Sequence, residues 1–332
     1  MGLHAVRAFR RCIMIAVAAY KSVYAVDEVE RKLKGLPAES HEQLRHTYTR
    51  MIEAGGQRLA IKPAQLPDME ALQQELPNFG EPLEDIRRAV ALAVDSRDAI
   101  EVTPMLLLGE PGIGKTHFAR RVAALLGTSW ALAPMNALTA GWILSGSSSQ
   151  WKGSRPGKVF ETLVQGEFAN PVVVIDEIDK AASSVQYDPL GALYSLLEHD
   201  TAQHFTDEFA EVPIDCSAVV WVATANDASS IPDPILNRLN VYEIDPPDEA
   251  GRRAIAARLY RDVRDSHDWG GAFPETLSDA ALDALAHVSP REMRRLVNGA
   301  FGAAKVAGRH ELLPQDFARA TTRRRARIGF MQ

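Results

Sequence analysis

The sequence predicts an α/β fold: a parallel sheet flanked by helices, preceded by a helical N-terminal extension and followed by a small helical domain. Three observations carry this. Short apolar runs at 105–108, 171–175 and 218–223 are each bounded by polar or turn residues, as strands covered by helices on both faces should be. Helical patterns at 116–126 and 189–198 alternate with those runs, which is the β–α order of a parallel sheet. Beyond residue 247 no strand-like run occurs and only helical periodicity remains.

Taken in order, residues 1–79 read as a helical extension, charged and periodic at 28–36 and 41–53. Gly55, Gly56, Pro63, Pro67 and Pro77 interrupt it. It carries no chemical motif and reads either as a partner-recruiting segment or as a brace for the adjoining α/β domain. At its start, Arg7, Arg10 and Arg11 precede an apolar run at 12–20. That is a weak signal-peptide pattern, too short to span a bilayer as a helix. It reads better as a docking helix or as the product of a mis-chosen start codon, and no membrane span is expected.

Residues 80–247 form the expected α/β domain, and 248–325 the small helical one. Helical patterns at 248–263, 278–287 and 291–307 fill the latter, and Pro314 opens a last helix at its preferred first position. Residues 326–332 form a tail. The run Arg323, Arg324, Arg325 and Arg327 reads as a solvated end or as a contact for an anionic surface.

Composition narrows the classes. A hydrophobic content of 46% and a charged content of 24% exclude collagen-like and disordered chains. The formal net charge of -6 argues against constitutive, non-specific nucleic-acid binding, which rests on neutralising phosphates. Cys12 and Cys216 are far apart and read as free thiols in a reducing compartment.

The chemistry concentrates at Gly109-Glu110-Pro111-Gly112-Ile113-Gly114-Lys115-Thr116, a full G-x-x-x-x-G-K-[ST] run between an apolar strand and a helix. Glycines let the backbone curl so that several N–H groups face one phosphate, reinforced by the helix N-terminus behind them. Lys115 is expected to neutralise the β- and γ-phosphates of ATP, and Thr116 to place its hydroxyl on Mg²⁺. A second element supports this. The apolar run at 172–175 ends in Asp176 and Glu177. Asp176 can hold the magnesium shell, through water, and Glu177 can polarise the attacking water. A third run leads into Asn226, expected between the phosphate loop and the acidic strand, where it can bond the γ-phosphate or position the water. Arg238 follows a proline-bounded turn and can supply cationic stabilisation of phosphoryl transfer.

This succession resembles the AAA+ ATPases, and within them the ATPase module of the Lon proteases. The matching segments are 109–116, Ile175-Asp176-Glu177-Ile178-Asp179-Lys180, 196–215, 223–226 and 234–244. The resemblance implies that Asn226 is the sensor 1 residue and that Arg238 is an arginine finger acting on a neighbour's ATP. It further implies that Arg291, in Ser289-Pro290-Arg291, is the sensor 2 arginine of a helical lid. It implies a homo-oligomeric, six-membered ring and a pore loop gripping a protein substrate, here Trp151-Lys152-Gly153, with Lys152 where an aliphatic residue is usual. A Lon peptidase domain has no room after the lid, so proteolysis is not expected of this chain alone. The function expected is Mg-dependent ATP hydrolysis driving protein remodelling in the cytoplasm, where ATP is supplied. A nucleic-acid motor and a regulatory assembly switch are the alternatives.

Overall fold

The computed structural model describes residues 15–37, 41–136, 140–151, 153–181 and 188–321. Lys152, the arginine run and tail after 321, and Arg7, Arg10, Arg11 and Cys12 lie outside the described residues.

The chain begins with strand β1 (Ile15–Ser22), helices α1 (Val26–Gly35) and α2 (Glu42–Ala54), and strand β2 (Gln57–Pro63). Strands β1 and β2 pair antiparallel, with an irregularity between Val17 and Ala19. This adds an antiparallel strand pair to an extension read from sequence as mostly helical. Ile15, Val17 and Tyr20 are β-branched or aromatic, types that favour a pleated strand, and their partner strand lies beyond two helices, where local periodicity cannot show it.

Two buried cations on β2 have structural roles. Arg58, 5% exposed, donates its Nε to the Leu163 carbonyl at 2.9 Å and an Nη to that of Val164. Lys62, 4% exposed, donates to the carbonyls of Ala93 and Ser96. Arg58 thus satisfies carbonyls at the C-terminus of one helix and Lys62 caps the end of another, where the helix dipole favours positive charge.

Helices α3 (Met69–Glu75) and α4 (Gly80–Val94) lead into strand β3 (Met105–Leu108), helix α5 (Lys115–Leu126) and strand β4 (Trp130–Pro134). Next come short helices α6 (Ala140–Ile143) and α7 (Lys158–Val164), then β5 (Val172–Asp176). Helices α8 (Leu193–Leu196) and α9 (His199–Ala202) and the small ribbon β6 (Phe205–Thr206) and β7 (Pro213–Ile214) precede β8 (Val220–Ala225). Helix α10 (Asp233–Leu236) and strand β9 (Asn240–Glu243) close the domain. Five strands form one parallel sheet in the order β4-β5-β8-β3-β9. The three inner strands are the apolar runs visible in sequence. Edge strand β4 alternates in burial and β9 is mostly exposed, so neither has that signature. Pro134 is tolerated because its strand is an edge.

Apolar residues of the N-terminal segment, including Val23, Val29, Leu44 and Met51, pack in the same core as one face of this sheet. Leu72, Leu76 and Phe79 join the core on the other face. The C-terminal helices α11 (Glu249–Asp265), α12 (Asp279–Ala286), α13 (Pro290–Val306) and α14 (Pro314–Thr321) enclose a core of their own, with Tyr260 stacked on Phe301 at 5.1 Å.

Candidate active site

The sheet order sets the site. Strand β8 lies between β3 and β5, so the turn after β3 and the ends of β5 and β8 meet at the carboxyl edge of the sheet, where open α/β sheets bind ligands. Gly109 leaves β3 against the backbone of residue 244. A Cβ there would stand 2.3 Å from the Ile244 carbonyl oxygen, so only glycine fits. Gly112 has φ +86° and would bring a Cβ within 3.2 Å of the Arg291 Cβ. The loop and the start of α13 are therefore in close contact.

Lys115 opens α5 and is 8% exposed. Its Nζ donates to the carbonyls of Gly109 (2.5 Å) and Glu110 (3.0 Å) and to Asn226 Oδ1 (2.9 Å). Burial pushes the ammonium pKa down, against the opposing pull of Asp179, Asp176 and Glu177. Desolvation thus outweighs the carboxylates, and an anion beside Nζ would reverse the balance.

Asp176 Oδ1 accepts two hydroxyls, Thr116 Oγ1 at 2.9 Å and Thr224 Oγ1 at 2.7 Å. Thr224 Oγ1 in turn accepts the Glu177 N–H at 3.0 Å, so one buried hydroxyl ties the two acidic residues to β8. Glu177 has φ 55° and ψ 50°, a left-handed conformation that costs a non-glycine residue about 1–2 kcal/mol. Its carboxylate accepts Asn136 Nδ2 at 2.6 Å. Thus β4, β5 and β8 each contribute to holding the acidic pair. Nearby, the Asp179 side chain is fully buried and ion-paired to Lys180 at 3.0 Å.

A cleft of about 590 Å³ gathers 111–116 with Asp176, Glu177, Thr224, Asn226 and, from the helical domain, Arg258, Arg291 and Arg294. Leu76, Ile113, Ile255 and Leu259 supply apolar lining. The structure therefore brings together the phosphate loop, the acidic pair, Asn226 and Arg291. Arg238 is not among the residues lining this cleft. Its guanidinium holds Glu198 Oε2 at 3.1 and 2.9 Å and the Pro234 carbonyl at 2.7 Å. Trp151 and Gly153 line a separate groove of about 510 Å³ with Trp142 and Arg155, and Trp151 meets Trp142 edge-on at 5.6 Å.

Thr224, Asn136, Glu75, His117 and Arg258 escaped the sequence reading. Thr224 alone had a usable signal: it stands two residues before Asn226 and so shares its face of the strand. His117 directly follows Thr116 but carries no motif of its own, and Asn136, Glu75 and Arg258 come from distant segments.

The base of the 146–157 loop hangs on Asp207, which is fully buried. It accepts the Gly157 N–H at 2.8 Å and those of Phe209 and Ala210 at 2.9 and 3.0 Å. Burial pushes its pKa up from 3.8 to about 6, against those three N–H groups. A carboxyl raised on folding favours the native state fully below its unfolded pKa and loses that contribution as pH rises to the folded value. Between pH 3.8 and about 6, the loss is of order 3 kcal/mol. Asp207→Asn cannot ionise, so its melting temperature relative to wild type should improve as pH rises from 4 to 7. A pH-independent difference would remove this assignment.

The AAA description, "ATPase family associated with various cellular activities", matches residues 105–245, the stretch holding all five strands of the parallel sheet. The chain carries an AAA ATPase domain. The curated proteins it is similar to include Lon proteases. That of Halothermothrix orenii is 35% identical over 179 residues, covering 53% of this chain and 23% of that protein. The Lon protease 2 of Hydrogenovibrio crunogenus is 31% identical over 221 residues, covering 65% and 24%. The chain thus spans about a quarter of the length of these relatives, and the AAA domain is related to their ATPase region. Among solved structures, the Thermotoga maritima RuvB Holliday junction branch migration motor aligns with TM-score 0.46 and 18% identity over 76% of this chain and 68% of that one. No described helix is long and apolar enough to cross a membrane.

Proposed function

We propose that the AAA domain hydrolyses ATP with Mg²⁺ inside a homo-oligomeric, six-membered ring and uses the turnover to remodel or unfold protein substrates in the cytoplasm. The observation that carries the reading is the convergence of Lys115, Thr116, Asp176, Glu177 and Asn226 on one cleft roofed by Arg291. The apolar lining suits a nucleobase. The N–H groups of the 109–116 loop and the N-terminus of α5 suit the phosphates. Lys115 would exchange the Gly109 and Glu110 carbonyls for phosphate oxygens.

The donor set fits magnesium, which prefers hard oxygen ligands and keeps several waters. The Thr116 hydroxyl and Asp176 carboxylate are 2.9 Å apart. Thr116 would bind the ion directly and Asp176 through water, and the ion would offset charge on the transferring phosphoryl group. Glu177, steadied by Asn136, takes the proton of the attacking water, and Asn226 orients that water or the γ-phosphate. Arg291 reports nucleotide to the lid. Arg238, outside the cleft of its own chain, would serve the site of a neighbouring copy.

Substrate grip is assigned to Trp151, Lys152 and Gly153. Trp151 is 45% exposed, and an aromatic face can wedge against extended polypeptide without sequence specificity. Trp151→Ala should keep ATP turnover within about twofold while abolishing ATP-dependent unfolding of a tagged fluorescent protein. Unchanged unfolding would remove the loop from its role. Turnover stimulated by DNA and not by unfolded protein would favour the nucleic-acid motor instead.

A further inference from the structure

Glu75, the last residue of α3, is a carboxylate with a side chain 3% exposed. Three cationic or titratable groups converge on it: His117 Nε2 at 2.9 Å, Arg121 Nε at 3.0 Å and the Arg258 guanidinium. They come from different parts of the fold. His117 and Arg121 lie on α5, and His117 directly follows Thr116. Arg258 lies on α11, the first helix of the lid, where it also faces Asp262 at 3.6 Å. Glu75, His117, Arg258 and Asp262 all line the nucleotide cleft. One buried charge therefore joins the pre-loop helix, the phosphate-loop helix and the lid at the rim of the site.

We infer that Glu75 and Arg258 are positioning residues for ATP: their ion pair tethers α11 to α3 and holds the lid over the cleft before nucleotide arrives. Burial lends the pair its strength, because in such surroundings an ionic contact is little screened by solvent. Geometry lends it its role. Arg121 binds the same carboxylate from α5 in the large domain and also feels the charge of Asp262 on α11, so its loss should loosen the lid less than loss of Arg258, which α11 itself carries. The inference rests on the ATPase reading above and adds a part to it.

That difference between the two arginines supplies the test. Arg258→Gln and Arg121→Gln each remove one cation from Glu75. Hydrogen exchange without nucleotide should show α11 strongly deprotected in Arg258→Gln and at most slightly in Arg121→Gln. Calorimetric titration with Mg-ATP should show affinity about tenfold weaker in Arg258→Gln and within about twofold of wild type in Arg121→Gln. Glu75→Gln distinguishes a tether from a direct contact between Arg258 and phosphate. A tether predicts that it also weakens ATP, with the double variant no worse than Arg258→Gln alone. Equal exchange of α11 in the two arginine variants overturns the inference, even if Glu75→Gln does not fold. Wild type that fails to bind ATP overturns the ATPase reading instead, and the nucleotide-free exchange still tests the tether.

Discussion

Glu177→Gln should bind ATP as wild type does and hydrolyse it about 10²–10⁴-fold more slowly, the range expected for loss of a general base. The substitution preserves size and the left-handed backbone at this position. Its amide oxygen can still accept Asn136 Nδ2, the contact that Glu177 makes at 2.6 Å. The Glu177 N–H keeps its bond to Thr224 Oγ1, and Asp176 keeps both hydroxyls. Only proton acceptance is lost. Phosphate release under single-turnover conditions, together with nucleotide affinity, checks this. Full turnover would take Glu177 out of the chemistry. The same variant should hold ATP and substrate long enough to identify the client by what co-purifies.

The second large effect concerns Lys115. Lys115→Met should abolish nucleotide-induced stabilisation while leaving the nucleotide-free protein folded. Burial already disfavours the ammonium, so its removal relieves a desolvation cost that partly offsets the loss of three hydrogen bonds. Wild type at an ATP concentration a hundredfold above the dissociation constant gains about 2.7 kcal/mol. For domains of this size that corresponds to a rise of roughly 5–10 °C in melting temperature. Thermal melts with and without Mg-ATP read the result. A wild-type-sized shift in Lys115→Met would mean that the phosphates lie elsewhere.

The inner sheet and the phosphate loop were legible because their signals are local. Strands buried on both faces read as continuous apolar runs, and the loop compresses its chemistry into eight consecutive residues. The ribbon of β1 and β2 was not legible, since its pairing joins segments separated by two helices. Edge strand β4 was missed because its exposed Trp130 and its Pro134 dilute the apolar signal. Asn136, which steadies Glu177, lies just beyond that unrecognised strand. The cluster around Glu75 was illegible for a different reason. Its members are ordinary charged residues, singly indistinguishable from solvated helix faces, and only the packing of α3, α5 and α11 removes them from water.

The backbone at Glu177 has a bearing on how this protein could be improved. A residue held at φ 55° is one where glycine would relieve steric cost. If Glu177 is the proposed base, a laboratory selection for heat resistance alone would favour a glycine there that costs turnover. On that role durability and activity are opposed at a single codon, and any engineering campaign on this scaffold must score both from its first round.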